Sequence, residues 1–207
     1  MYIPKYFKVT DVKEIWQFVQ HNSFGTLVTT DQGKPIATHL PLQLVKEGED
    51  CYLTGHMAYG NPQWRTFEAC DDVLAMFQGP HAYISSSWYK DENVPTWNYQ
   101  AVHIYGKASV LSGEALHQDL AKLMHKYEKH RDNPVVWDQL SPALLERQLK
   151  GLVGFKIAVR EIQAADKLSQ NRTSEDYDNI VKKLYEEQNT DAQQLAQVME
   201  SRGKRGN

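Results

Sequence analysis

Phe24-Gly25-Thr26-Leu27-Val28-Thr29-Thr30, then Asp31-Gln32-Gly33-Lys34, then Pro35-Ile36-Ala37-Thr38-His39-Leu40 is the stretch that decides the fold. Two runs rich in β-branched residues flank a polar turn that contains glycine, which predicts an antiparallel hairpin. A third strand, Cys51–His56, follows the turn Glu47-Gly48-Glu49-Asp50. Strand-like runs return at Val73–Phe77, Ala82–Ile84, Asn98–Leu111 and Leu152–Val159. Short strands joined mainly by turns, and not alternating with helices, exclude a doubly wound parallel sheet. They predict a mainly β, α+β fold: an antiparallel barrel with helical insertions and a helical C-terminus.

The helices announce themselves by period. Val12, Ile15, Trp16 and Val19 fall on one face behind Asp11, which predicts a helix over 12–20. Asn61-Pro62 opens a short helix to Ala69, with Asn as cap and Pro at the first helical position. Leu116, Leu120, Leu123, Met124 and Tyr127 make the stripe of a helix over 114–129, and another follows over 142–150. At the C-terminal end, Tyr177, Ile180, Val181 and Leu184 form one apolar face. Ala192, Leu195, Ala196 and Met199 form the next, behind a Thr190/Gln193 capping box. The expected division is a barrel domain over 1–172 and a helical extension over 173–207, with the tail from Gly203 frayed.

The chain has 207 residues and a formal charge of −3, an ordinary globular balance with no global field for nucleic acid or acidic membrane. Cys51 and Cys70 lack ligand spacing and read as reduced thiols. The N-terminus has no apolar signal segment, and the longest run without charged side chains, Val73–Tyr89, is too polar to span a bilayer. A cytoplasmic protein without a membrane or metal partner is expected. The sequon Asn171-Arg172-Thr173 is read as accidental.

No nucleophile elbow, P-loop or GxGxxG is present, and no catalytic residue is assigned. Two polar clusters stand out. The first holds Thr38 and His39 with Thr54, His56, Met57, Ala58 and Asn61, combining hydroxyls, imidazoles and a helix start. On spacing alone the plainer reading is favoured, in which Asn61 caps its own helix. The second is Lys167-Leu168-Ser169-Gln170-Asn171-Arg172, where two cations, a hydroxyl and amides can wrap a phosphate. The plainer reading there is a solvated linker. An aromatic run adds Trp88, Tyr89, Trp97, Tyr99 and Tyr105; Trp97, Tyr99, Ala101, His103 and Tyr105 share one strand face. Such a wall suits a planar ring, a subunit interface or plain core packing.

As an ordered set, these segments resemble the PaiB family: Phe24–Thr29, Ala37–Leu42, Gly55-His56-Met57-Ala58 with Asn61-Pro62-Gln63-Trp64, Phe77–Ser85, Val94–Tyr99, Ala101–Gly106, Val153-Gly154-Phe155 and Lys167–Arg172. The resemblance implies a flavin-reductase-like split β-barrel that forms a homodimer and binds FMN at the subunit interface. It also implies a negative transcriptional regulator. Carried over by position, Thr38, His39, Thr54, His56, Met57, Ala58 and Asn61 become candidate FMN contacts. So do Lys167, Ser169, Gln170 and Arg172, with Trp88 and Trp97 as weaker candidates. Tyr59-Gly60 departs from the family's basic residue followed by Ala, which weakens a phosphate contact there, and Ser86 replaces a Pro. Two other functions stay open: an FMN-dependent oxidoreductase or flavin reductase, and a flavin-free interaction module. The C-terminal helices carry Gln193, Gln194 and Gln197 but little positive charge, so charge supports DNA contact only weakly.

Overall fold

The computed structural model describes residues 1–203. Its strands are β1 (Lys8–Val9), β2 (Phe24–Asp31), β3 (Lys34–Glu47), β4 (Asp50–Ala58), β5 (Val73–Ile84), β6 (Thr96–Leu111) and β7 (Leu152–Lys167). Its helices are α1 (Val12–His21), α2 (Gly113–Glu128), α3 (Pro142–Leu149), α4 (Ser174–Glu186) and α5 (Thr190–Arg202). The strands make one sheet in the order β1-β7-β4-β3-β2-β5-β6, and β7 also pairs with β6, so the sheet closes on itself. The registered pairs β1–β7, β2–β3, β2–β5, β3–β4 and β4–β7 are all antiparallel. This is the antiparallel barrel that the hairpin pattern predicts.

The deciding hairpin turns where its residues require. Gln32 and Gly33 both have positive φ, 47° and 83°, the pair of left-handed residues that matches the strand twist. Asp31 then pairs with Lys34 and Phe24 with Pro41. β2 alternates buried Gly25, Leu27 and Thr29 with less buried neighbours, the period of a half-buried strand.

Three expectations are corrected. Val73–Phe77 and Ala82–Ile84 are one twelve-residue strand, because Gly79 does not break it. A side chain at Gly79 would meet the Phe18 ring at 2.8 Å, so glycine is there for close packing rather than for a turn. The helix expected over 61–69 is a 3-10 turn, Pro62–Thr66, in which Thr66 Oγ1 donates to Gln63 O at 2.7 Å. The last strand runs eight residues past Val159 to Lys167, and its end pairs with β1 through Lys8–Ala165 and Val9–Ala164.

The chain forms two compact units. One comprises Val19–Phe77 and Ile104–Ile162. Its core is Leu27, Leu42, Leu53, Phe77, Ile104, Phe155 and Ile157, all nearly inaccessible, with Phe67 and Phe155 edge to face at 5.4 Å. The other comprises Met1–Phe18, Gln78–His103 and the C-terminal segment from Gln163. There α4 and α5 bury the two faces read from the sequence, and Tyr177, Ile180, Leu184, Leu195 and Met199 pack with Ile84, Tyr89 and Leu168. Thr173 caps α4, its Oγ1 accepting from Asp176 N at 3.1 Å. The α5 cap is Asn189, whose Oδ1 accepts from Asp191 N at 2.9 Å, rather than Thr190. Gly203, with φ 60°, donates back to Met199 O and closes α5; residues 204–207 of the expected frayed tail lie outside the described residues.

Candidate functional site

The first polar cluster sits on β3, β4 and the turn after it. Thr38 faces Leu27 in the hairpin register and His39 faces Thr26, so the two side chains point to opposite sides of β3. His39 is exposed and Thr38 half-buried. Asn61 donates from Nδ2 to Thr38 Oγ1 at 2.8 Å, while its Oδ1 accepts from Gln63 N at 3.0 Å. Asn61 therefore caps its own turn, as spacing suggested, and also ties that turn to β3. Gln63 fastens the same turn more deeply, donating from Nε2 to Leu27 O at 3.0 Å and Ile36 O at 3.2 Å. The turn is only the five residues Pro62–Thr66, and Asn61 and Gln63 hold it against β2 and β3.

On β4, Thr54, His56 and Ala58 share one side, and Met57 lies on the other, buried in the core. Thr54 Oγ1 donates to Asp119 Oδ1 at 2.6 Å. Asp119, on α2, is buried, and among the described residues its second carboxylate oxygen has no hydrogen-bond partner; neither does His56 Nδ1. Burial holds the Asp119 carboxyl above the usual range, against the pull of the Thr54 hydrogen bond and the His56 charge. Burial also pushes the His56 imidazole below its usual value, against the opposing Asp119 carboxylate. Burial thus disfavours the charged form of His56, one of whose ring nitrogens is buried and unsatisfied among the described residues.

The second cluster is the loop joining β7 to α4. Ser169 adopts φ 60°, a costly conformation for a residue with a side chain. It is held there by its buried hydroxyl, which accepts from Asn98 Nδ2 at 2.9 Å, and by Arg172 N, which donates to Ser169 O at 3.0 Å. Gln170 folds back on the loop: its Oε1 accepts from Leu168 N at 2.7 Å and its Nε2 donates to Asp166 O. Ser169 and Gln170 therefore spend their side chains on loop shape. That shape presents two cations. Lys167 Nζ donates to Thr96 Oγ1 at 2.5 Å, and the Arg172 guanidinium lies 4.9 Å over the Tyr89 ring. Lys167 is pushed below the usual lysine value, first by burial and then by the Arg172 charge.

Trp88 is half-buried against the helical core, and its carbonyl accepts from Asn179 Nδ2 at 2.7 Å. Trp97 is 53% exposed, with Tyr83 edge-on at 6.1 Å and His81 at 6.2 Å. Trp97, Tyr99, Ala101 and His103 do share the less buried side of β6, opposite buried Asn98, Gln100 and Val102. Asp119, Thr96, Asn98 and Gln63 escape the sequence reading. Asp119 had a signal, since it sits three residues after Leu116 on an otherwise apolar stripe. The other three are polar side chains whose partners lie far away in sequence.

Against known proteins, residues 1–161 match the family model described as "Putative FMN-binding domain". The Bacillus subtilis protein named protease synthase and sporulation protein PAI 2 is 68% identical over 205 residues, 99% of each chain. The chain belongs to the PaiB family. The flavocytochrome Anf3 of Azotobacter vinelandii shares the fold at TM-score 0.62 and 16% identity, over 83% of this chain and 73% of that one. So does the conserved hypothetical protein Rv2991 of Mycobacterium tuberculosis, at 0.58 and 18%, over 84% and 94%. These likenesses establish the split-barrel fold that PaiB membership implies.

PaiB membership makes the cofactor a flavin, FMN. The residues present fit its chemistry. Lys167 and Arg172 are two cations of the type a phosphate dianion requires. The unsatisfied buried His56 Nδ1 is a polar partner of the kind a ring edge needs. The loop cluster lies beyond the residues of the family match, and the strand cluster within it.

Proposed function

We propose that this chain is an FMN-binding homodimer acting in the cytoplasm as a negative transcriptional regulator of the PaiB type. The observation that carries the reading is the 68% identity, across 99% of both chains, to a relative whose name couples it to protease synthesis and sporulation. When bound, FMN supplies electron- and hydride-accepting chemistry. Lys167 and Arg172 hold its phosphate by charge-assisted hydrogen bonds. Asn98 and Gln170 keep their loop in shape. The exposed Trp97–Tyr83 face is the aromatic surface that a second copy would cover. The C-terminal helices support the fold more than they read bases. The one cation on α5, Arg202, is engaged with Asp166 and Glu14, and Gln193 donates to Glu187 O at 2.9 Å.

The test is a DNA-retention series on promoter fragments of protease and sporulation genes, using the FMN-loaded dimer at several salt concentrations. The reading expects sequence-selective retention that weakens steeply as salt rises. Absence of retention even at low salt contradicts it, and multiple turnovers of NAD(P)H oxidation would favour the oxidoreductase instead.

A further inference from the structure

The unit containing α2 carries a cavity of about 550 Å³, within the usual range for a small-molecule site. One wall is α2 itself. Lys122, His125, Lys126 and Lys129 line it, and their spacing of i, i+3, i+4 and i+7 puts all four on one helix face. Trp137 also lines it, its ring 5.9 Å from that of His117 on α2. Asp138 is the one acidic group in the lining, and the Gln20 and Gln43 amides complete its polar part.

Helix energetics alone do not account for this stripe. His125 and Lys126 lie in the last turn, where cations complement the helix dipole. Lys122 lies before that turn, drawn to Asp119 three residues back and opposed by Lys126 four residues on. Within a chain of net charge −3, three lysines against one aspartate make a concentrated positive site. Lys126 is partly committed, donating to Gln20 O at 3.2 Å, whereas Lys122 and Lys129 are exposed. The chemistry is complete for one class of molecule: cations for phosphates, an indole for a planar ring, and a carboxylate with two amides for ribose hydroxyls or a ring edge. A concave site of this volume takes a small ligand whole, while a DNA backbone would lie across its rim.

We propose that this cavity is a nucleotide site, separate from the flavin residues, for a phosphorylated ribonucleoside. The experiment is isothermal titration of the full-length, FMN-saturated protein with ADP, adenosine, inorganic phosphate and a short DNA duplex. ADP binds with a dissociation constant below about 1 mM, and adenosine and phosphate each bind more weakly. The double variant Lys122→Gln/Lys129→Gln loses at least about tenfold in ADP affinity, as does Trp137→Leu, while FMN affinity stays unchanged. Both lysines are exposed, so the double variant keeps its fold. Overturning results are ADP affinity unaltered in the double variant, no saturation by ADP, phosphate binding as tightly as ADP, or a duplex that displaces ADP with a steep salt dependence. The last would reassign the stripe to nucleic acid.

Discussion

The strand cluster and the loop cluster solve different problems with similar residues. Around β4, polar side chains mostly satisfy one another: Asn61 with Thr38 and its own turn, Thr54 with Asp119. What is left over is a histidine nitrogen, His56 Nδ1, and one carboxylate oxygen, Asp119 Oδ2. In the β7–α4 loop, the Ser169 hydroxyl satisfies the Asn98 side chain and the Gln170 amide satisfies the backbone, and what is left over is charge, on Lys167 and Arg172. Counting polar residues in a motif therefore says little about which atoms reach a ligand. The atoms that do are those the local fold has not already used.

The comparison can be broken most forcefully just before the loop. Asp166 is buried, accepts from Gln100 Nε2 at 3.0 Å and is paired with Arg202, which also lies 3.6 Å from Glu14. Arg202→Ala leaves that carboxylate without its cation and is expected to cost about 3–5 kcal/mol in urea denaturation. Adding Asp166→Asn should recover much of it. Equal losses in the single and the double variant would mean that the ion pair does not support the loop.

A smaller effect separates shape from charge within the loop. Lys167→Ala and Arg172→Ala are each expected to weaken FMN by about 1.5–3 kcal/mol, read by flavin fluorescence, with little change in unfolding midpoint. Gln170→Ala should show the opposite balance, losing stability first. In the strand cluster, Asn61→Ala removes a cap and the Thr38 bond and should cost about 1–2 kcal/mol of stability. Asn61→Asp retains the capping oxygen and should recover part of that cost.

The smallest effect is a titration. His56, lowered by burial, should titrate below its ordinary value of 6.5 by NMR, and lower still in Asp119→Asn, which removes the opposing carboxylate. The unfolded chain then binds a proton before the folded one does. The His56 contribution to stability is present above about pH 6.5 and is lost as pH falls through the depressed value. Asp119 has the opposite sign: its raised value means that ionisation costs stability as pH climbs past 3.8. An unshifted His56 in the Asn variant would show that the two groups do not interact.

Much of the fold was legible because burial there follows a period. β2 alternates, α1 carries its apolar stripe, and α4 and α5 bury the faces their spacing marks. The second half of β7 was not legible, since its buried residues are Ala164, Ala165 and Asp166, small or charged side chains that give no hydrophobic signal. The continuity of β5 was hidden by Gly79-Pro80, which reads as a turn until Phe18 is seen packed against it. For the candidate residues, the types were readable but the partners were not. Thr54 meets Asp119 65 positions away, and Lys167 meets Thr96 71 positions away. Only folding brings such pairs together, and those pairs decide which groups remain free.

The most direct measurement is fluorescence titration of FMN into the chromophore-stripped protein, run in parallel on the natural chain and on the Lys167→Ala/Arg172→Ala double variant. The natural chain should quench FMN to saturation at one equivalent per subunit, and the double variant should need at least about a hundredfold more FMN to reach the same point. Saturation curves that superimpose would place the phosphate elsewhere and contradict the account.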